Sequence, residues 1–327
     1  FAVTPAAQIL TSLREAEHGV SSSELCQQLK ISRAAVWSHI ESLRETGFQI
    51  IASPHRGYQL ISSPEQLVAE DLQSRLAGET LIGRRIQTLQ NTSSTNDEIE
   101  KAAQAGETEG LVVFAESQNQ GRGRLGRKWS SPAGRGLWFS VLLRPALTAN
   151  ECTQLTAAAA ASLARAIRQT TGIRPGIKWP NDLQIEGRKV AGILTEMSAE
   201  IDHVRHVILG IGIDVNQTAS DFTGELSRIA TSLKLASGKA VDRTQLAEQI
   251  LRELDADYQR ILDRQFPAIA EDWAAHCTTL GKEICVDMGP RQVSGRAEAL
   301  DESGALLIRT QHGRVERVMG GDVTLAK

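Results

Sequence analysis

Three apolar runs constrain this fold more than any other feature: GLVVFAE from Gly110, GLWFSVLLR from Gly136 and HVILGIGIDV from His206. Each reads as a strand. Between the second and third lies CTQLTAAAAASLARAIRQTTG, a predicted helix stopped by Gly172. Leu155, Leu163 and Ile167 flank its alanine run at 157–161, which points to a closely packed helix rather than low complexity. Further helices are expected from about Pro64 to Ala77 and from about Arg243 to Phe266. The middle of the chain is therefore a mixed α and β core, and no run of 18 apolar residues exists to span a bilayer.

Upstream the pattern is helical. Ile9, Leu10 and Leu13, then Leu25 and Leu29, then Val36, Ile40 and Leu43 recur at helical spacing. Ser22 or Ser23 can cap the second helix, Ser32 can cap the third, and LKIS between them is a tight turn. FQIIASPHRGYQLI then reads as two strands around a Pro-His-Arg-Gly turn, completing a winged helix. A DNA reading puts Ser32, Arg33, Trp37 and Ser38 near the major groove, with His55 and Arg56 on the wing. A three-helix protein-interaction domain is the competing reading. Over residues 1–63, five bases (Arg14, Lys30, Arg33, Arg44, Arg56) balance five acids (Glu15, Glu17, Glu24, Glu41, Glu45). DNA-binding modules are usually basic, so one copy should bind weakly and two joined copies usefully.

From about Cys277 the sequence changes to short alternating segments, EICVDM, RQVSGRAEAL, ALLIRT and RVERVMGGDVTL, which predict about five antiparallel strands in a small barrel. The three segments fall at 1–63, 64–275 and 276–327. A net charge of −3 gives no electrostatic address. Cys26, Cys152, Cys277 and Cys285 form neither a C-x-x-C pair nor a metal cluster. With no secretion signal at Phe1, they are expected to be reduced thiols in a cytoplasm.

The glycines of GRGRLGRKW, residues 121–129, imitate two nucleotide-binding turns. A dinucleotide turn needs a helix to follow, but RKWSSPAGRGLW carries Pro132, Gly134 and Gly136. A Walker A loop needs Lys and Ser/Thr where Arg127 and Lys128 stand. What remains is Arg122, Arg124, Arg127 and Lys128 on a loosened backbone ending at Trp129. That fits a flexible lid closing over a carboxylate and a phosphate, or else a solvated basic loop. IKWPNDL at 177–183 and EGRKVAGILTE at 186–196 add Lys178, an Asn-Asp pair and Lys189, enough to make polyphosphate chemistry credible.

These motifs, with SSTN at 93–96, AESQNQGRGRLGRKW at 115–129, KWPND at 178–182, GRKVAGIL at 187–194 and LGIGIDVN at 209–216, resemble those of the biotin protein ligases, and among them the bifunctional biotin repressors. SRAAVWSHIESLRETG and the C-terminal MGGDVTL extend the resemblance over essentially the whole chain. It implies an α+β protein of three domains: a winged helix-turn-helix, a central mixed α/β ligase domain like the class II aminoacyl-tRNA synthetases, and a small SH3-like β-barrel. It further implies a reaction that joins biotin to ATP, releases pyrophosphate and passes biotin from biotinyl-5′-AMP to a lysine of the biotin carboxyl carrier protein of acetyl-CoA carboxylase. The adenylate-bound homodimer would repress biotin-synthesis genes at operator DNA, with no membrane partner.

By the same resemblance, Ser94, Thr95, Asn96 and Gln118 line the biotin pocket, and Arg122, Gly123 and Arg124 fold over biotin and adenylate. Trp129 is an adenine platform, or else a core tryptophan. Lys189 bridges the biotin carboxylate and the α-phosphate. Lys178, Asn181 and Asp182 lie on the phosphate and metal side, where Mg²⁺ is held mainly by the nucleotide, and Asp182 also orients the acceptor amine. Asp214 departs from the Asn common among relatives, and a charge there calls for a cation or Mg²⁺ to offset it. Two other readings stand beside this one: a ligand-sensing transcription factor without catalysis, and a lipoate or octanoate ligase of related fold. The intact KWPND and GRKVAGIL motifs argue against the first, and the entire GRGRLGRKW loop and the winged helix against the second.

Overall fold

The structure, a computed structural model, describes residues 3–76, 80–200 and 203–325. Helix α1 (Pro5–Glu15) starts where Thr4 caps Ala7 N–H and Pro5 needs no donor. Helix α2 (Ser22–Leu29) is capped by Ser21, not by Ser22 or Ser23, because only Ser21 has Glu24 three residues on to complete a reciprocal capping box. Left-handed Lys30 (φ 56°) turns the chain, and Ser32 caps α3 (Arg33–Glu45) as its spacing predicts. Strands β1 (Gln49–Ser53) and β2 (Gly57–Ser62) pair as the antiparallel wing. Ile9, Leu10, Leu25, Val36 and Ile40, each fully buried, give this unit its own core.

Helix α4 (Ala69–Leu76) begins five residues after the expected Pro64. The reason is a competing bond: Glu116 Oε1 takes Leu67 N–H at 2.7 Å, holding the approach extended. Ala77, the expected end, lies outside the described residues. Asp71 of α4 accepts from Arg14 of α1 and from Arg75 Nε at 3.1 Å, so one buried carboxylate ties the winged unit to the centre.

The central sheet comprises β3 (Arg85–Thr92), β4 (Leu111–Gln118), β5 (Gly136–Leu143), β6 (Gly176–Lys178), β7 (Asp182–Ile185), β8 (Arg188–Ala199) and β9 (Val204–Asp214). Their order is β3-β4-β5-β9-β8-β7-β6, with only β3 and β4 parallel. All eight residues of β5 are buried. Helix α5 (Thr95–Gln104) covers part of one face, packing Ile99 on Leu111, Val113, Leu142 and Ile208. The other face lies under α6 (Thr153–Thr171), with α9 (Arg243–Leu262) and α10 (Phe266–His276) in the same core. Gly172 (φ 78°) stops α6 as expected. The expected helix from Arg243 to Phe266 is two helices, because Arg264 adopts φ 59° and Pro267 suits the first turn of a new one. Short helices α7 (Leu226–Ile229) and α8 (Leu233–Ser237) follow β9.

Strands β10 (Glu283–Asp287), β11 (Gln292–Leu300), β12 (Leu306–Arg309), β13 (Val315–Val318) and β14 (Asp322–Leu325) form the C-terminal antiparallel sheet, in the order β13-β12-β11-β10-β14. Gln154 Nε2 donates to Glu302 O at 2.8 Å, and Thr153 donates to Ser303 O, seating this sheet on the start of α6. No helix of the described residues is long and apolar enough to cross a membrane.

Candidate functional site

Strand alternation builds a bare floor on the sheet face that α5 leaves open. Register sets Gly192 opposite Gly212 and Leu194 opposite Gly210, with Ser140 and Trp138 next in line on β5. A Cβ at Gly212 would stand 2.6 Å from the Trp129 ring, and one at Gly210 would stand 2.2 Å from Asn96 Oδ1. Both glycines are thus required by close approach.

The polar end of this floor is formed by the start of α5. Asn96 Oδ1 accepts from Ser140 Oγ at 2.5 Å, and its Nδ2 donates to Glu196 at 2.6 Å. Thr95 N–H donates to Gln118 Oε1 at 2.8 Å, and Gln118 Nε2 donates to Ser131 Oγ at 2.9 Å. Ser94 is buried beside them. The four residues expected in the biotin pocket therefore converge, the Asn96 amide oriented by Ser140 and Glu196 and the Gln118 amide by Thr95 and Ser131.

GRGRLGRKW is a hairpin. Trp129 N–H donates to Gly121 O at 2.8 Å, Gly123 N–H donates to Arg127 O at 2.7 Å, and a 3₁₀ turn at Arg124–Gly126 contains left-handed Leu125 (φ 55°). No α-helix follows the glycines. Backbone bonds and the chain's own carboxylates hold this loop, expected as a flexible lid, in the conformation described. Arg122 bonds Asp97 at 2.6 Å and Glu196 at 3.0 Å, Arg127 bonds Asp322, and Arg124 donates to Asn181 Oδ1 at 3.1 Å. The bonds to Glu196 hold Arg122 above its ordinary basicity, whereas burial pushes Arg124 below.

Lys189 Nζ lies 2.6 Å from Asp182 Oδ1 and 5.2 Å from the Trp129 ring centroid, a cation over an aromatic face. Trp129 is half-buried, so it is not a core tryptophan. Asp214 is buried, and desolvation raises its carboxyl well above the usual range against the opposing charge of Lys189. Gln217 Nε2 donates to it. Trp129, Lys189, Asp214, Gln217, Phe222 and Ile229 border a small pocket of about 90 Å³. Lys178 stands apart: it meets Asp182 through backbone register, and its ammonium has no ion pair among the described residues. Nor do three His, Cys, Asp or Glu side chains cluster there around a metal position.

On the winged unit, Trp37 is 59% exposed and Arg33, Ser38, His55 and Arg56 are exposed. Arg33 donates to Ser23 Oγ, and the Ser32 hydroxyl accepts the cap bond from Ala35 N–H. Sequence reasoning missed Asp97, Ser140, Glu196 and Gln217. A usable signal existed for Glu196, which follows Gly192 and Leu194 at period two and so shares their face.

Comparison with known proteins follows the same division. Residues 85–214 match the Biotin/lipoate A/B protein ligase family, residues 6–59 an HTH domain, and residues 279–325 the Biotin protein ligase C terminal domain. The bifunctional ligase/repressor BirA of Bacillus spizizenii is 38% identical over 306 residues, covering 94% of each chain. The Escherichia coli protein of that name is 29% identical, covering 93% of this chain and 92% of its own. Among solved structures, the Aquifex aeolicus biotin protein ligase in complex with biotin and ATP superposes with TM-score 0.64 at 30% identity, covering 75% of this chain and 99% of that one.

Proposed function

This chain belongs to the biotin protein ligases of the bifunctional ligase/repressor kind, and from that premise we propose how its residues divide the work. The activity is ATP-dependent activation of biotin to biotinyl-5′-AMP, followed by transfer to a lysine of a biotin carboxyl carrier protein. The observation that carries this reading is the Lys189 ammonium, held between Asp182 and the Trp129 ring beside the glycine floor.

In the first step a biotin carboxylate oxygen attacks the α-phosphorus and pyrophosphate leaves. Lys189 neutralises charge on both reactants, and its partner Asp182 is released to orient the acceptor amine for the second step. That amine attacks the acyl carbon, loses a proton and expels AMP. Ser94, Thr95, Asn96 and Gln118 take the ureido group. Arg122 and Arg124, with Gly123 between them, exchange their present partners for the adenylate, while Trp129 and Asp214 flank the nucleotide. Lys178 and Asn181 serve the phosphate side. Mg²⁺ is held mainly by the phosphates.

The repressor activity rests on the winged unit, through Ser32, Arg33, Trp37, Ser38, His55 and Arg56. We divide the chain at 63/64 and 275/276 and assign the protein to the cytoplasm. Dimerisation on adenylate binding is supported by the outer side of β8 beyond Ile193, which has no strand partner among the described residues. The deciding experiment supplies biotin, ATP and Mg²⁺ and measures biotin-dependent ATP–pyrophosphate exchange, then operator binding and sedimentation with and without adenylate. Exchange with lipoate but not biotin sinks the biotin assignment, and operator binding indifferent to adenylate sinks the coupled repressor.

A further inference from the structure

We propose that a cavity between the central and C-terminal units binds an apolar monocarboxylate, with the carboxylate on Arg124. The cavity measures about 370 Å³. Its walls include Ala157 of α6, Trp179, Ile193 of β8 and Leu300 of β11. Ile193 alternates with Gly192 and Leu194 along β8, so this space lies behind the sheet from the glycine floor. It opens on the opposite face from the glycine floor and shares Arg124 and Asn181 with the residues proposed to serve the adenylate.

The chemistry of the walls selects the ligand. Thr156 and Thr195 bond each other at 2.8 Å, and Asn181 spends its amide on Ile193 O and Arg124. Trp273 Nε1, on the same wall, is buried and has no hydrogen-bond partner among the described residues. Arg124 differs: its one side-chain hydrogen bond among the described residues goes to a neutral amide, leaving most of a guanidinium's five donors unused. Gly320 lies so close that a Cβ there would stand 3.1 Å from Arg124 Nη2, so the C-terminal unit shields the group from water as well. A half-buried cation at one end of an apolar space, near Asp322 and Asp182 but hydrogen-bonded to neither, is matched by an anion with an apolar body, and a neutral hydrocarbon would leave its donors unpaired. The space, about 370 Å³, is large enough to admit a medium-length chain, for which decanoate serves as the probe.

Arg124 also belongs to the loop proposed to close over the adenylate. An acid that holds it in the cavity therefore opposes adenylate formation, a consequence that rests on the ligase reading, whereas the binding itself does not.

Titrating decanoate into the full chain by calorimetry, with 1-decanol as the uncharged control, tests the binding. Saturable one-site binding of decanoate is expected, with decanol weaker by about tenfold or more for want of the charge-assisted bonds. Ala149→Trp at the exposed rim and Ala157→Leu in the wall should each abolish binding, with thermal melts confirming the fold. In pyrophosphate exchange, decanoate should raise the apparent KM for biotin in the unaltered chain and not in the Ala149→Trp variant. Absence of saturable binding, equal affinity for decanol, or undiminished binding to both variants overturns the proposal. A chain without exchange activity that still binds decanoate leaves the cavity standing and removes the ligase reading instead.

Discussion

Lys189 and Asp182 face each other from adjacent antiparallel strands, Nζ to Oδ1 at 2.6 Å, with both side chains partly open to solvent. The pair therefore contributes only about 0–1 kcal/mol to stability. Replacing Lys189 by Ala should leave the melting temperature nearly unchanged while lowering biotin-dependent ATP–pyrophosphate exchange by about 10²–10³-fold, the usual effect of removing one group that meets developing charge. Wild-type exchange in that variant would take Lys189 out of the mechanism.

Gly212→Ala tests the floor. The added methyl would meet the Trp129 ring at 2.6 Å and must push it aside. We expect a folded protein with altered tryptophan emission and exchange reduced on the order of 10²-fold, the scale of a misplacement near 1 Å. Trp129→Ala in the same chain should then add little. Full additivity of the two losses would show that the methyl acts elsewhere.

Asp214→Asn should change the pH dependence of stability. Burial raises the folded-state carboxyl above its unfolded value, so the stability linked to its protonated form is present at low pH and lost as pH rises through the folded value. The Asn variant lacks that loss. Its melting temperature should approach the wild-type value at acid pH, exceed it increasingly as pH rises toward the folded value, and stay above it by a constant margin beyond that. Parallel curves across that range would mean that Lys189 compensates the carboxylate in full.

Arg243 and Glu116 form an ion pair with side chains only 6% and 8% exposed, and the same groups bond Glu65 O, Gly136 O and Leu67 N–H. Glu116→Ala strands a buried guanidinium and should cost about 3–5 kcal/mol in urea unfolding. A loss below about 1 kcal/mol would indicate that water replaces the carboxylate, as at a surface pair.

Much of this was legible in the sequence because local chemistry decides it. Gly172 ends α6 by its backbone freedom, Ser32 caps α3, and Pro132, Gly134 and Gly136 forbid a helix after the loop. What escaped depends on distant partners. Helix α4 starts late because Glu116, 49 residues on, takes Leu67 N–H. Arg122 is recognisable as a cation in a loop, but nothing local says that Asp97 and Glu196 will hold it. The hairpin pairing within 121–129 was not legible for the same reason.

The strand order carries a kinetic consequence. The winged unit closes on contacts within its first 68 residues, whereas β5, buried throughout, must wait for β9 some seventy residues later and for α9 beyond it. Non-local pairing is slow, so a newly made chain should pass through a stage with its first sixty residues protected and GLWFSVLLR bare. Pulse-labelled hydrogen exchange during refolding should find β1 and α3 amides protected before those of β5, and simultaneous protection would argue for a single cooperative event. In that interval the most buried strand of the finished protein is its most adhesive surface.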